Sequence, residues 1–272
     1  MDYLESILLG IVQGLTEFLP ISSSGHIEIF KVFIGSELSN TESLLFTIIL
    51  HSATALSTIY YFRLEVSEIF TGLINNDTNK IKFSTYILIS MVPAVLIGLL
   101  FEEKIDDFFN GNLILIGIML IITGLFLLIT DFIGSKEIEL NKKNSFLIGV
   151  AQAIAILPGI SRSGATIACA VMLGIKKEKA AKFSFLMVVP IIFGSMIKSL
   201  MDKKISFDNF DFLVVVLGFC SAFITGLFAC KWMIYLVKKS KLYYFSIYCF
   251  TIGGLLIIYQ YKNGLYLSLI HI

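Results

Sequence analysis

Apolar runs separated by short polar breaks make up most of this chain. A membrane-spanning helix needs about 20 mainly apolar residues, and six runs approach that length. These predicted spans cover residues 43–62, 84–101, 112–130, 180–200, 212–230 and 243–259. The tail after them, residues 260–272, is too short to span. The pattern therefore predicts an all-α polytopic membrane protein.

Two further apolar stretches are too short to span, and each breaks at a proline. The first has arms at residues 5–19 and 25–35 around Pro20. The second has arms at residues 145–157 and 164–174 around Pro158. Each pair of arms predicts a re-entrant helical hairpin. Its non-helical turn is tolerated at membrane depth only where protein or water covers it.

The two hairpins are copies of one pattern. Shifting the sequence by 139 positions pairs Ser6 with Ser145, Leu8 with Leu147, Gly10 with Gly149, Gln13 with Gln152, Ile21 with Ile160, Ser22 with Ser161, Ser24 with Ser163 and Gly25 with Gly164. We therefore expect a single membrane domain of two repeats, residues 1–134 and 135–272, each with one hairpin and three spans. Because three is odd, the second repeat must insert upside down, so that the hairpin tips meet inside the protein.

Composition agrees with membrane insertion. The chain is 57% hydrophobic and 15% charged, with a mean hydropathy of +0.87, whereas a soluble domain carries about 25% charged residues. A net charge of +1 indicates no basic surface for nucleic acid. The N-terminus, MDYLES, has no basic segment, so we expect no cleavable signal peptide.

Lysine and arginine are distributed unevenly between the predicted loops. Leaving out Arg162, the side that holds both flanks of the second hairpin carries 14: Arg63, Lys80, Lys82, Lys136, Lys142, Lys143, Lys176, Lys177, Lys179, Lys182, Lys231, Lys238, Lys239 and Lys241. The opposite side carries 6: Lys31, Lys104, Lys198, Lys203, Lys204 and Lys262. Since the richer side is normally cytoplasmic, we expect both termini and the mouth of the first hairpin to face outward.

The first hairpin carries an unusual set of polar residues, QGLTEFLPISSSGH. Gln13 and Glu17 are four apart and share a helix face, where they could hold a divalent cation, supply a general base, or form a buried hydrogen-bonded pair. Three serines, Ser22, Ser23 and Ser24, form a turn and a helix cap. With His26 and Glu17 beside them, one serine could be a nucleophile, and His26 could transfer protons.

The second hairpin carries LPGISRSGAT. Ser161, Arg162, Ser163, Gly164 and Thr166 begin a half-helix, whose backbone N–H groups favour an anion. The guanidinium of arginine adds a planar fork suited to phosphate oxygens. Because a buried unpaired arginine is costly, we expect it to meet either Glu17 or an anionic ligand.

Other polar residues within the predicted spans are weaker candidates for a functional site than those of the two hairpins. His51 shares a helical face with Ser52 and Thr54, where packing is as good an interpretation as a site. Pro93 and Pro190 lie within predicted spans and most simply kink their helices.

At these two motifs the sequence resembles the undecaprenyl-diphosphate phosphatase family of bacteria, of the bacitracin-resistance type, along nearly its whole length. Its patterns are E/Q-x-x-x-E followed by P-x-S-S-x-G-H, and PGISRSGAT. The resemblance implies hydrolysis of a membrane-embedded polyprenyl diphosphate to the monophosphate. This would recycle the cell-wall lipid carrier at the plasma membrane and confer bacitracin resistance.

The resemblance also implies roles for residues. It places Gln13 and Glu17 in an acidic pair that binds Mg²⁺ or Ca²⁺, although Gln13 stands where many members have Glu. It puts the other candidates in two substrate-binding loops, formed by Ser22, Ser23, Ser24 and His26 and by Ser161, Arg162 and Ser163. We expect Ser23 as nucleophile, with Glu17 and His26 as acid–base partners and Arg162 as the charge clamp. Attack by His26 or by activated water remains open.

Two other functional classes fit part of this sequence pattern. An inverted-repeat lipid or solute transporter would share the architecture. An acid phosphatase of the other membrane type is suggested by the Ser-Gly-His sequence, but the chain has no K-x6-R-P element. We expect the lipid bilayer and the lipid substrate as partners, and a homodimer is an open alternative to a monomer.

Overall fold

The computed structural model describes residues 1–34, 40–101, 105, 108, 112–133, 137–201, 211–239 and 242–270. Within these residues it has eleven α-helices and no strands. They are α1 (Tyr3–Phe18), α2 (Ser23–Ile34), α3 (Asn40–Tyr61), α4 (Arg63–Ile74), α5 (Thr78–Leu100), α6 (Leu113–Phe132), α7 (Lys142–Ile154), α8 (Arg162–Met172), α9 (Lys177–Met201), α10 (Phe212–Lys238) and α11 (Tyr243–Ile270).

Five of these helices, α5, α6, α9, α10 and α11, are long and apolar enough to cross a membrane. They coincide with five of the six predicted spans. The described part of α3, Leu45–Tyr61, reaches that standard only together with α4, and the two are bent by 78°. The prediction of an all-α polytopic membrane protein is confirmed, while α4 was not predicted.

Both predicted hairpins are present, as α1 with α2 and as α7 with α8. Their turns need unusual backbone conformations, since Ser22 has φ 72° and Gly159 has φ +92°. The hydroxyl of Ser22 accepts a hydrogen bond from the Gly25 N–H at 3.3 Å, and that of Ser161 accepts one from Gly164 at 3.0 Å. The paired sequence positions thus act as equivalent helix caps.

Glycines let the first arm of each hairpin approach a spanning helix. A Cβ on Gly10 would lie 2.5 Å from the carbonyl oxygen of Gly218 in α10. A Cβ on Gly149 in α7 would lie 2.4 Å from the carbonyl oxygen of Ser90 in α5. Small residues at such contacts are typical of helix packing in membranes. Each arm therefore packs closely on a helix from the other predicted repeat.

Ion pairs gather the loops around the second hairpin at one end of the bundle. The pairs are Lys177–Asp131, Lys179–Glu139, Lys182–Glu65 and Lys238–Glu178. These loops were all assigned to the lysine-rich side. Five residues of the lysine and arginine count lie outside the described residues: Lys104, Lys136, Lys203, Lys204 and Lys241.

Candidate active site

The Glu17 carboxylate joins the two hairpins. Its Oε1 accepts a charge-assisted hydrogen bond from Arg162 Nη2, at the start of α8. Its Oε2 accepts a hydrogen bond from Ser23 Oγ at 2.8 Å. The side chains of Glu17 and Arg162 are only 6% and 17% exposed. Both charges are therefore largely removed from solvent, and each neutralises the other.

Backbone contacts between the tips confirm the prediction that the hairpins meet. Ser163 Oγ donates a hydrogen bond to the carbonyl oxygen of Leu19 at 3.3 Å. A Cβ on Gly25 would lie 3.1 Å from Gly159 Cα. The tips pack against each other, so the Glu17–Arg162 pair forms part of a continuous interface between hairpins.

Gln13 lies beside Glu17, as their spacing predicts. Its Nε2 donates a hydrogen bond to Glu17 Oε2 at 3.0 Å, and the same nitrogen lies 3.5 Å from Thr54 Oγ1. Its Oε1 is buried without a hydrogen-bond partner. Buried polar atoms are nearly always hydrogen-bonded, so this amide oxygen could accept a further ligand at the site.

His51 is a further member of this cluster, although its sequence pattern favoured helix packing as much as a site. Its Nδ1 lies 3.0 Å from Gln13 Nε2 and 3.3 Å from Glu17 Oε2. The available signal was a histidine one helical turn from Thr54 within an apolar span. That pattern alone could not distinguish a site residue from packing, because the position of His51 beside Glu17 depends on how α3 packs against α1.

His26 lies apart from the carboxylate. Its Nδ1 is 2.7 Å from the carbonyl oxygen of Ser22, and its Nε2 is 2.8 Å from the hydroxyl of Tyr248. Among the described residues no hydrogen bond joins it to Ser23 or Glu17. Of the two expected acid–base partners of Ser23, only Glu17 is hydrogen-bonded to it. Nothing in the sequence pattern indicated Tyr248.

The remaining candidates support the turns. Ser24 Oγ lies 3.4 Å from Ser22 Oγ, and Ser161 Oγ lies 3.2 Å from Ser163 Oγ. Thr166 Oγ1 donates to the carbonyl oxygen of Arg162 at 2.8 Å. These contacts fix the shape of both tips, and a direct role in binding substrate stays a prediction for all of them.

Ser184 on α9 is a further support of the second tip. Its carbonyl oxygen lies 3.4 Å from Arg162 Nη1, and its hydroxyl lies 2.6 Å from Thr166 Oγ1. The guanidinium is thus held from two sides, by Glu17 and by the α9 backbone. It is oriented before any ligand binds, which reduces the entropy lost when an anion binds.

The cluster combines three chemical features. A hydroxyl is hydrogen-bonded to a carboxylate that could accept its proton. A guanidinium and the N-terminal end of α8 lie next to them and favour an anion. Gln13 Oε1 and Glu17 Oε2 are oxygen atoms that could contribute to a hard cation's coordination. No group of three or more His, Cys, Asp or Glu side chains suited to a metal occurs among the described residues.

Known proteins match the chain almost from end to end. The family described as "Bacitracin resistance protein BacA" matches residues 6–255. An undecaprenyl-diphosphatase of Christiangramia forsetii is 54% identical, covering 97% of this chain and 100% of the relative. An undecaprenyl-diphosphatase of Bacteroides fragilis is 42% identical, covering 95% of this chain and 98% of the relative. One of Methanococcus vannielii is 39% identical, covering 94% of this chain and 100% of the relative. The matched region includes both hairpins.

Proposed function

Since the chain belongs to the family of bacitracin resistance protein BacA, we propose that it hydrolyses undecaprenyl diphosphate to the monophosphate and inorganic phosphate. The name of each relative cited above supports this substrate. The observation that carries the proposal is the buried cluster in which Ser23 is hydrogen-bonded to Glu17 and Glu17 is paired with Arg162.

Binding of the diphosphate follows from the charges at the tips. Phosphoryl transfer depends mostly on positioning and on neutralising the charge of the phosphoryl group. Arg162 and the first N–H groups of α8 supply that charge from the second hairpin. A phosphate oxygen that takes over one of the Arg162 N–H groups leaves Glu17 less tightly paired, and so a stronger base at the moment when Ser23 needs one.

The reaction proceeds through Ser23. Its Oγ attacks the terminal phosphorus while its proton passes to Glu17 Oε2, the atom it already contacts. The bond between the terminal phosphorus and the bridging oxygen breaks, and the lipid monophosphate leaves. Water then attacks the phosphorus and gives up a proton to a general base, while the bond from phosphorus to Ser23 Oγ breaks and Glu17 returns the proton to Ser23. His26, whose Nδ1 faces a carbonyl oxygen, carries its proton there and leaves Nε2 as an acceptor, which is the form required of a general base.

A divalent cation, Mg²⁺ or Ca²⁺, fits the residues present if it arrives with the diphosphate. Gln13 Oε1 is buried and unpartnered, and the Glu17 carboxylate would supply the second protein oxygen. Two such ligands suit a cation that takes its other ligands from phosphates and water. When bound, the cation would supply positive charge to the phosphate oxygens.

The orientation belongs to the same proposal. The 14-to-6 excess of Lys and Arg favours a cytoplasmic lysine-rich end. The N-terminal end of α1 would then face outward, and so would the mouth of the site and both termini. Phosphate is released outside a bacterial plasma membrane, and recycling the lipid carrier there supports cell-wall synthesis and confers bacitracin resistance. The unit is a monomer or a homodimer.

Phosphate release tests this function directly. Purified protein in detergent should release inorganic phosphate from undecaprenyl diphosphate, and a chelator should abolish the release until Mg²⁺ or Ca²⁺ is restored. A transporter of the same architecture would release none, because transport requires two compartments. Mass measurement of the same detergent-solubilised sample separates monomer from dimer.

A further inference from the structure

His51 lies on α3, outside both hairpins, yet it reaches the centre of the site. Its Nδ1 is within 3.0 Å of Gln13 Nε2 and 3.3 Å of Glu17 Oε2. In either tautomer this nitrogen has a partner there. As an acceptor it takes a hydrogen from Gln13, and as a donor it gives one to Glu17.

Glu17 Oε2 needs such neighbours because Arg162 holds only the other oxygen of the carboxylate. If that contact acted alone, the carboxylate could rotate about it and Oε2 could move away from Ser23. Gln13 restrains Oε2 from the same helix, and His51 in turn restrains the Gln13 amide. A displacement of about 1 Å at a reacting atom can cost about 100-fold in rate.

We propose that His51 is a positioning residue that, through Gln13, holds Glu17 Oε2 against the Ser23 hydroxyl. The proposal rests on the function proposed above, in which Glu17 takes the proton of Ser23. It assigns His51 no contact with the substrate. Removing its Nδ1 should therefore slow turnover and leave substrate binding nearly unchanged.

A matched pair of substitutions tests the Nδ1 position. The side chains placed by His51→Leu and His51→Asn have similar sizes, but only Asn has a polar atom close to where Nδ1 lies. We expect His51→Leu to lower kcat at least about tenfold, the scale of a lost hydrogen bond near a charged group, with KM within about threefold. His51→Asn should recover kcat to within about threefold of wild type, because one hydrogen bond is restored.

A neighbouring residue provides the control. Ser52 points elsewhere, with its Oγ within hydrogen-bond distance of the carbonyl oxygen of Ile48 and of Met196 Sδ, so Ser52→Ala should keep the wild-type kcat. Binding of a methylene-bridged undecaprenyl diphosphate, which is not hydrolysed, gives a readout independent of turnover. Its Kd should be the same for wild type and His51→Leu.

The outcomes separate this inference from the proposed function. An inactive wild-type protein would overturn the function itself. With an active wild type, three results would overturn the role of His51: wild-type kcat in His51→Leu, equal losses in the folded Leu and Asn variants, or loss of analogue binding in His51→Leu. Thermal unfolding of each variant establishes that it is folded.

Discussion

The pairing of Glu17 with Arg162 shows how this chain tolerates charge at the centre of an apolar bundle. Either charge alone would be expensive at membrane depth. As a pair, 6% and 17% exposed, they neutralise each other and also connect the two hairpins. Removing one partner of a buried pair typically costs about 3–5 kcal/mol, because the other charge remains.

Substitution of either partner of this pair should therefore lower both the stability and the activity of the protein. We expect Glu17→Gln to be less stable than wild type, because the Arg162 charge is no longer neutralised although the amide oxygen still accepts from it, and to lose at least about 100-fold in phosphate release because an amide is no base. Arg162→Ala should lose a similar factor and also unfold at lower temperature. Phosphate-release kinetics and thermal unfolding measure both effects. Near-wild-type turnover in folded Arg162→Ala would contradict the site.

The histidine of the first tip is tested separately, because its contacts differ from those of Glu17. We expect His26→Ala to lower phosphate release about 100-fold, as for the loss of an acid–base group. Tyr248→Phe removes only the hydroxyl that is 2.8 Å from His26 Nε2 and should cost about tenfold. Tyr259→Phe on the same helix is the control. Equal activity of Tyr248→Phe and wild type would show that this hydroxyl does not hold His26.

Among the elements, those fixed by local sequence could be predicted. Proline breaks and serine caps define both hairpins, because a cap needs only the three residues that follow it. The contribution of α3 to the site could not be predicted, because His51 reaches Glu17 through packing between distant segments. The helix α4 was missed for a related reason, since its residues lack the long apolar run that identified the spans.

Close packing of spans is the second feature that periodicity does not reveal. Gly253 and Gly254 are neighbours on α11, but a Cβ on Gly253 would lie 2.5 Å from the carbonyl oxygen of Gly117 in α6. A Cβ on Gly254 would meet nothing within 4 Å. The two glycines look equivalent in the sequence, and only the α6–α11 contact distinguishes them.

This difference gives a prediction with an internal control. Gly253→Ala should destabilise the protein by about 1–3 kcal/mol, because backbone must move to admit the methyl group. Gly254→Ala should be neutral or slightly stabilising, since alanine favours helix and no neighbour is displaced. Thermal unfolding in detergent compares the two. If both variants unfold at the same temperature, the close α6–α11 contact is wrong.

At the scale of the whole molecule, helices of the two predicted halves pack against each other. The first arm of each hairpin packs on a spanning helix of the other half, α1 on α10 and α7 on α5. The paired glycines Gly10 and Gly149 lie at these contacts. The two hairpins, which are paired in the sequence, therefore also make corresponding contacts with spanning helices. Two inverted halves that share a central site would require such contacts. Opposite insertion of the halves stays a prediction.

Orientation in the membrane is the prediction that belongs to this scale. Ion pairs such as Lys177–Asp131 gather the lysine-rich loops at one end, whereas Tyr3 is hydrogen-bonded to Asp211 near the start of α10. Because positively charged loops remain in the cytoplasm, we expect the N-terminal end outside. Tyr3→Cys and Lys142→Cys, in a background where Cys169, Cys220, Cys230 and Cys249 are replaced, report the two ends.

An impermeant thiol reagent applied to intact cells should label the cysteine at position 3 and spare the one at position 142. Both should be labelled after the cells are permeabilised, which controls for access within the protein. The first hairpin would then open outward, and phosphate would be released on that side. Labelling of position 142 with protection of position 3 would reverse the orientation and place the mouth of the site in the cytoplasm.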